Sequence, residues 1–431
     1  MARSHLWGAA LDCCTAWATN GRFLETTVLT RENNDLLTLA GPGTAMGDLL
    51  RRYWIPALLS EEIAAPDSAP VRVGLMGEEL VAFRDSQGRI GLIGEHCRHR
   101  GASLFYGRNE DCGLRCIYHG WKFDVDGHVT EMPAEPDDTL VRQGITHTAY
   151  PTVEAGGIVF AYLGPKDKRP VFPAYSWTKK PASHVYVTKS FQECNYLQGL
   201  EGECDSSHLS FLHRVLHGPA SNRPIFTSIN PRYEIEKTDF GLRLIATRSL
   251  GEDQDYVRIS SFVMPITCWV PARNKEAHIY VPIDDTHSWR YDMGFLDRPL
   301  SDADRAGSRV HDLDGNYRKI ANRSNDYLQN RAMQKTDNFS GMSSFLTHDS
   351  CVTETMGPRF DRSQEYLGFS DQGVVAVRNL LLKSVKDLQA GKEPPHLPHE
   401  SVGDGYPRID TFDITVPRGE NWRAKYPQLY R

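Results

Sequence analysis

Residues 96–124, HCRHRGASLFYGRNEDCGLRCIYHGWKFD, contain two closely spaced pairs of potential metal ligands. The first pair is Cys97 and His99, the second is Cys116 and His119, and a glycine follows each pair within two residues. Each pair is short enough to occupy one tight loop. Two thiolates and two imidazoles suit a tetrahedral Zn²⁺ ion or a [2Fe–2S] cluster in which two His replace two Cys on one iron. The glycines favour the cluster, because they let the backbone approach the sulfurs and donate hydrogen bonds to them.

The runs around this segment are typical of short antiparallel strands. VRVGLMG, EELVAFRD and GRIGLIG, between residues 71 and 94, are β-rich and separated by turns that contain Gly or Asp. GGIVFAYLG follows at 156–164, and residues 165–173 are rich in Pro and Lys, which indicates a domain boundary. Strands and helices mix beyond this boundary, and the apolar spacing of residues 371–389 predicts a helix.

The composition is that of a globular protein long enough for two domains, with 431 residues, 24% of them charged, and a net charge of -6. There is neither a clustered basic face nor a long apolar run, so the sequence predicts no nucleic-acid binding and no membrane span. The nine cysteines are odd in number and irregularly spaced, which favours reduced thiols and a cytoplasmic location. Cys112 lies between the two ligand pairs without a partner and is interpreted as structural.

A second group of potential ligands lies within residues 195–213. His208 and His213 are five positions apart, so they require a loosened turn or a helix end, since the closest stacking in a regular helix is i, i+4. Two imidazoles and one carboxylate form a triad that binds Fe(II) and leaves positions open for O₂ and substrate. Asp205 precedes the two histidines, although an Asp before Ser-Ser also suits a helix N-cap.

Both motifs resemble those of one enzyme family. Cys-x-His-Arg-Gly followed by Cys-x-x-His-Gly-Trp-x-Phe resembles the Rieske domain signature, and Asp-x-x-His-x-x-x-x-His resembles the catalytic domain of Rieske non-haem iron oxygenases. The resemblance covers about residues 28–431. VPIDDTHSW at 281–289 and DRSQEYLGFSD at 361–371 are similar to the phthalate dioxygenase-like branch, near phthalate, phenoxybenzoate and 3-chlorobenzoate dioxygenases.

The resemblance assigns the ligands of the cluster and of the mononuclear iron. It implies that the two cysteines bind one iron of a [2Fe–2S] cluster and the two histidines bind the other. It implies further that His208 and His213 bind a mononuclear Fe(II). Asp205 is then a catalytic residue and not a ligand: it hydrogen-bonds an iron-ligand His and a cluster-ligand His of the next subunit, and so carries the electron route.

The third ligand of the mononuclear iron is expected in residues 347–358. This stretch resembles the one that supplies the carboxylate in the phthalate dioxygenase-like branch, and its Asp aligns with Asp349. Glu354 is the alternative carboxylate. His348 stands where relatives carry Gln. It is expected beside the iron, where it contacts a ligand and does not itself bind the metal.

The resemblance implies an α+β fold in which an antiparallel β Rieske [2Fe–2S] domain precedes a larger helix-grip-like catalytic domain. The catalytic domain is expected to have a central antiparallel sheet flanked by helices. The predicted boundaries are 1–27 for an extension of unknown role, 28–166 for the N-terminal helix and Rieske domain, and 167–431 for the catalytic mononuclear iron domain.

The resemblance also implies the partners. The sequence contains no dinucleotide fingerprint, flavin motif or plant-type ferredoxin Cys run, so electrons are expected from a separate NADH-dependent flavin iron–sulfur reductase. Because the electron route crosses subunits, a homotrimer or a stack of trimers is implied. The predicted reaction is O₂-dependent dihydroxylation of an aromatic carboxylate.

A substrate carboxylate is expected to contact arginine, because a guanidinium pairs with it bidentately. Arg258 matches a strand of this branch that supplies such an arginine, Arg223 is a looser candidate, and Ser206 beside Asp205 adds a hydroxyl. The first expectation is a mono-anionic substituted benzoate. Two alternatives remain: a Rieske monooxygenase that demethylates or hydroxylates an aromatic acid, and a metal-stabilised electron carrier or binding module.

Overall fold

The computed structural model describes residues 28–136, 144–173, 175–272, 275–306, 312–398, 409 and 411–427. The predicted extension at 1–27 lies outside these residues. Within them, no helix is long and apolar enough to cross a membrane.

The N-terminal part begins with two short helices, α1 and α2, each of which starts at a threonine N-cap. The Thr30 and Thr44 hydroxyls accept hydrogen bonds from backbone N–H groups of the first turn, which satisfies donors that the helix itself leaves free. Three small antiparallel sheets follow, in the orders β1-β10-β9, β2-β3-β4 and β5-β6-β7-β8. The bounds are α1 Arg31–Thr38, α2 Ala45–Leu50, β1 Ile55–Leu59, β2 Val71–Leu75, β3 Glu78–Arg84, β4 Ile90–Gly94, β5 Arg108–Glu110, β6 Gly113–Arg115, β7 Lys122–Phe123, β8 Val129–Glu131, β9 Thr152–Ala155 and β10 Ile158–Ala161.

The second part is built on one eight-stranded antiparallel sheet. Its order is β11-β17-β16-β15-β14-β13-β12. The strand β18 pairs with residues 254–259 of β14, the part of that strand that β15 does not contact. The strand bounds are β11 Val185–Gln192, β12 Arg232–Lys237, β13 Gly241–Leu250, β14 Gln254–Val263, β15 Thr267–Pro271, β16 Lys275–Pro282, β17 Ser288–Phe295 and β18 Phe412–Pro417. The helices of this part are α3 Tyr196–Cys204, α4 Pro224–Thr227, α5 Asp302–Ala306, α6 Met333–Thr336, α7 Phe345–Thr355, α8 Gln372–Gln389 and α9 Trp422–Lys425.

Helix α3 packs closely against the sheet and sets the position of the chain that follows it. A Cβ at Gly199 would lie 2.1 Å from the Tyr280 ring on β16, so only glycine permits this approach. Helix α7 packs on α3 in turn. The two helices therefore bring the segment after α3 and the residues of α7 together above one face of the sheet.

The hydrophobic core is continuous between the N-terminal part and the large sheet. One buried cluster contains Leu59 and Phe160 together with Tyr196 and Val281. The strands that carry the Cys–His loops have a smaller core of their own, centred on residues such as Phe123. The Cys–His loops are thus supported by a hydrophobic cluster separate from the main core.

Candidate metal centres

The two Cys–His loops adopt the same tight turn. The carbonyl of Cys97 accepts from the N–H of Gly101 at 2.8 Å, and that of Cys116 accepts from the N–H of Gly120 at 3.0 Å. Both glycines have positive φ, +76° and +73°, a conformation that other residues adopt only under strain. The two glycines therefore allow the tight turn of each loop.

The thiols and the imidazoles of these loops lie at different depths. Cys97 and Cys116 are each 3% exposed, whereas His99 and His119 are half-buried with ring centroids 4.5 Å apart. The His99 ring stacks on Trp121 at 4.7 Å, yet its buried Nδ1 has no hydrogen-bond partner among the described residues. A buried nitrogen of this kind fits a metal ligand, because leaving it unsatisfied is costly.

The spacing of these four side chains fits two metal ions better than one. Among the described residues, no three of them bring ligand atoms within 4.8 Å of one another. A tetrahedral zinc ion would hold its ligand atoms roughly 4 Å apart or less, since its bonds are about 2.0–2.3 Å long. A Rieske cluster divides two thiolates and two imidazoles between separate irons. The geometry therefore favours the predicted cluster over zinc.

The second ligand group assembles from two distant parts of the chain. His208 begins a short 3₁₀-helix, His208–Ser210, which supplies the loosened turn that a spacing of five requires. Its ligand atoms, those of His213 and those of Asp349 on α7 all lie within 4.8 Å of one another. His213 Nε2 is 2.9 Å from Asp349 Oδ1, and the two imidazole centroids are 5.1 Å apart. Two imidazoles and one carboxylate that face a common point fit an Fe(II) triad.

Asp349 is held as an anion. Burial opposes its ionisation, but His213 and the guanidinium of Arg290 outweigh burial and hold the pKa of Asp349 well below its ordinary value. Arg290 Nη1 lies 3.1 Å from Asp349 Oδ2, so one carboxylate oxygen is bonded to arginine while Oδ1 faces the histidines. Arg290, on β17, is 1% exposed and also pairs with Asp292 and Glu203. Arg290 was not among the predicted site residues, because nothing local in the sequence marks a strand arginine as the partner of a carboxylate 59 positions away.

Asp205 lies close to His208 Nδ1 and outside the ligand group. It forms the C-cap of α3, and its carboxylate accepts from the backbone N–H of Ser207 at 2.6 Å and of His208 at 3.1 Å. Its Oδ2 is 3.7 Å from His208 Nδ1. Burial opposes ionisation, but His208 and these N–H groups outweigh it and lower the pKa of Asp205. Asp205 is thus an anion close to His208 Nδ1, at a distance longer than a hydrogen bond, and its role between the two metal centres stays a prediction.

The two other residues of the 347–358 stretch have different surroundings. Glu354 is fully buried, and its oxygens accept from Lys319 Nζ, the Tyr327 hydroxyl and the backbone N–H of Glu193. These contacts commit Glu354 to a buried ion pair and favour Asp349 as the iron carboxylate. His348 lies against His213, with the two Nδ1 atoms 3.0 Å apart.

The predicted substrate residues are not brought together. Arg223 is exposed, whereas Arg258 is buried on β14 and donates from Nη1 to the Pro271 carbonyl at 3.0 Å. Ser206 is engaged by Arg248, a fully buried residue that sequence analysis missed: Arg248 Nη1 is 3.1 Å from the Ser206 hydroxyl. Because Ala246 pairs with Arg258 and side chains alternate along β13, Arg248 and Arg258 lie on the same face of the sheet.

A cavity of about 210 Å³ lies beside His208 and Asp349. Its wall is rich in carboxylates, and Arg223, Arg258 and Ser206 do not line it. The carboxylates of the wall are those of Glu201, Glu203, Asp205, Asp349, Glu365 and Asp371, and Arg378 is also present. Most of these carboxylates are paired with buried cations, Glu201 and Glu365 with Arg378, and Glu203 and Asp349 with Arg290, so the wall is polar and largely charge-compensated.

Comparison with known proteins agrees with this architecture. The chain matches the family model of the Rieske [2Fe-2S] domain over residues 53–150 and the model described as LigXa C-terminal domain like over residues 161–429. It is 41% identical to the phthalate 4,5-dioxygenase oxygenase subunit of Pseudomonas putida, over 92% of this chain and 94% of that protein. It is 35% identical to the 3-chlorobenzoate-3,4-dioxygenase oxygenase subunit of Comamonas testosteroni, over 93% of this chain and 98% of that protein.

The fold is also that of solved oxygenase structures. The crystal structure of dicamba monooxygenase superposes with a TM-score of 0.58 at 16% identity, over 80% of this chain and 99% of that one. The chain therefore belongs to the Rieske non-haem iron oxygenases, as the resemblance predicted, and the predicted α+β fold class is confirmed. It takes one [2Fe–2S] Rieske cluster and one mononuclear iron, and the two ligand sets described above fit these groups.

Proposed function

We propose that this chain is the oxygenase component of a two-component dioxygenase that adds both atoms of O₂ to a mono-anionic substituted benzoate. The observation that carries the proposal is the triad of His208, His213 and Asp349, with Asp205 behind His208. The cluster ligands in this proposal are Cys97, His99, Cys116 and His119. When bound, the Rieske cluster supplies one-electron transfer and the Fe(II) supplies a site for O₂ activation.

The protein's own residues provide orientation and charge in this proposal. Asp349 contributes the single negative charge of the triad. Arg290 Nη1 lies 3.1 Å from Asp349 Oδ2, so this oxygen is paired with the guanidinium and Oδ1 is left to face the histidines. Asp205 orients the imidazole of His208 from behind. A carboxylate in this place fixes the proton on the rear nitrogen and leaves the front nitrogen for the metal.

The substrate class is proposed from two lines of support. The curated relatives named above are phthalate and 3-chlorobenzoate dioxygenase subunits. On one face of the large sheet, Arg248 and Arg258 place two buried guanidinium groups. A guanidinium pairs bidentately with a carboxylate, so we infer that the carboxylate of an aromatic acid binds at this face of the sheet. Arg248 is committed to Ser206 and to the Ser228 carbonyl, so we infer that Arg258, which carries five N–H donors, is the carboxylate clamp.

The partners in this proposal are a separate reductase and further copies of the chain. We infer an NADH-dependent flavin iron–sulfur reductase, a homotrimer or stacked trimers, and a cytoplasmic location. Apart from the cluster ligands Cys97 and Cys116, the described cysteines are free thiols, which supports a reducing compartment.

The reaction type is tested by product analysis. Purified oxygenase with a reductase of this branch, NADH and ¹⁸O₂ is expected to convert a substituted benzoate into a cis-diol that carries two labelled oxygens. A phenol with one labelled oxygen, or release of formaldehyde from a methoxybenzoate without ring oxygenation, would establish the monooxygenase alternative instead. No O₂ uptake with any aromatic acid, in protein that holds both metal centres, would contradict the substrate class.

Replacing Arg258 by Gln is expected to raise KM for the benzoate by roughly 10- to 100-fold with a much smaller change in kcat, because a charge-assisted hydrogen bond contributes about 1.5–3 kcal/mol. Arg223→Gln is the matched control, since it removes the same charge from an exposed position, and its KM is expected to stay within about twofold. Steady-state O₂ uptake measures both variants. A KM that rises in the Arg223 variant and not in the Arg258 variant would show that the clamp is assigned to the wrong arginine.

A further inference from the structure

One buried histidine outside the ligand triad contacts a ligand directly. The Nδ1 atoms of His348 and His213 are 3.0 Å apart, and the two rings are inclined by only 21°. The other ring nitrogen of His348, Nε2, lies 3.0 Å from the carbonyl oxygen of Met342. His213 and His348 are 3% and 5% exposed, so water cannot readily replace either contact.

These two contacts determine where the protons lie. A carbonyl oxygen can only accept a hydrogen bond, so His348 Nε2 must carry the proton that is shared with Met342. In a neutral imidazole the other nitrogen is then an acceptor, and His348 Nδ1 accepts from the Nδ1–H of His213. This leaves the lone pair on His213 Nε2, the atom that lies 2.9 Å from Asp349 Oδ1 in the ligand group.

We propose that His348 is a positioning residue that holds His213 in the Nδ1–H tautomer, with Nε2 directed at the mononuclear iron. The inference rests on the proposed function, because it takes His213 as an iron ligand. The chain of donors runs from His213 Nδ1–H to His348 Nδ1, and from His348 Nε2–H to the Met342 carbonyl. The backbone thereby fixes the orientation of an iron ligand through one intervening imidazole.

The same contacts argue against His348 as a further ligand. Both of its ring nitrogens are engaged, and the convergent ligand group contains Asp349 but not His348. Successive residues of a helix point about 100° apart, because there are 3.6 residues per turn. Helix α7 therefore presents Asp349 to the metal and His348 to the rear of His213.

The Nδ1 atoms of the two iron histidines face different groups. His208 has the Asp205 carboxylate behind its Nδ1, at 3.7 Å, whereas His213 has a neutral imidazole. At 3.7 Å the Asp205 contact is longer than a hydrogen bond, whereas the contact of His213 with His348 is within hydrogen-bond distance. His213 is thus the iron histidine whose orientation a hydrogen bond at its Nδ1 fixes.

The test compares two replacements of His348 in the holoenzyme. His348→Gln keeps an acceptor for His213 and a donor for Met342, whereas His348→Phe keeps the ring volume but removes both functions. The readouts are the dissociation constant for Fe(II), from anaerobic competition with a chelator, and the EPR spectrum of the Fe(II)–nitric oxide adduct. The visible spectrum of the Rieske cluster reports folding. We expect Fe(II) affinity to fall about 10- to 100-fold in the Phe variant and to stay within about threefold in the Gln variant.

Each outcome decides between the alternatives. Unchanged Fe(II) affinity and an unchanged spectrum in His348→Phe would overturn the positioning role. Equal losses of Fe(II) affinity in the Gln and Phe variants would overturn it too. The acceptor and donor that Gln retains would then not be what supports His213. If the Phe variant does not fold, His348→Leu provides the same comparison. His213→Ala separates this inference from the proposed function: iron retained in that variant refutes the ligand set itself, whereas iron lost there but kept in His348→Phe refutes only the role of His348.

Discussion

Replacing Asp349 by Ala is expected to remove the mononuclear iron and to lower oxygenation by more than about 1000-fold, with the Rieske cluster intact. Asp349 is the only anion of the triad, and two neutral imidazoles alone bind Fe(II) weakly. Metal and acid-labile sulfide analysis of anaerobically purified protein measures the result: the wild type is expected to contain about three irons per two sulfides, and the variant about two.

A matched control uses the other buried carboxylate of the same helix. In Glu354→Gln combined with Lys319→Met, the ion pair is removed as a whole, so no buried charge is left alone. This double variant is expected to keep its mononuclear iron. If it loses iron while Asp349→Ala retains it, Glu354 is the ligand and the assignment of the carboxylate is wrong.

Replacing Asp205 by Asn is expected to lower turnover by at least about 100-fold while both metal centres stay loaded. The amide keeps the size of the side chain but loses the negative charge that faces His208 Nδ1, and one of its two ends can no longer accept the N–H of Ser207 or His208. Iron is retained because Asp205 lies behind His208 and outside the ligand group. The measurements are steady-state O₂ uptake, metal content and the rate at which the pre-reduced cluster is reoxidised by O₂ with substrate present.

Asp371→Asn is the control for this prediction. Asp371 lines the same acidic cavity, and its carboxylate accepts from the backbone of Gly368, so the variant removes a comparable charge from the same wall. Its turnover is expected to stay within about threefold of the wild type. Loss of iron from the Asp205 variant would mean that this residue supports the site structurally, and wild-type turnover would mean that it has no part in electron transfer.

Helix α8 and the Cys–His loops were predictable from the sequence because their determinants are local. The apolar spacing of residues 371–389 anticipated Gln372–Gln389 almost to the residue, since helical periodicity is written into neighbouring positions. Each cluster loop needs only one Cys, one His and one glycine with positive φ within five residues. The resemblance built on these motifs predicted the family and the fold class, and both are confirmed.

The partners of the iron site depend on packing between distant segments. Asp349 and Glu354 are both carboxylates on one helix, and nothing in their order shows which faces the histidines; the pairing of Glu354 with Lys319 separates them. Arg290, near neither motif, reaches Asp349 because the register of β17 directs its side chain towards α7.

The sequence by itself therefore determined the types of metal centre and the family, because ligands that lie close together in a chain can form a site whatever the rest of the fold. Only the tertiary structure showed that Asp349 and not Glu354 lies beside the histidines, that Arg248 donates to the Ser206 hydroxyl, and that His348 contacts His213 Nδ1. The Arg248–Ser206 contact joins residues 42 positions apart and the His213–His348 contact joins residues 135 apart, and both depend on how helices and strands pack, which local residue patterns do not encode.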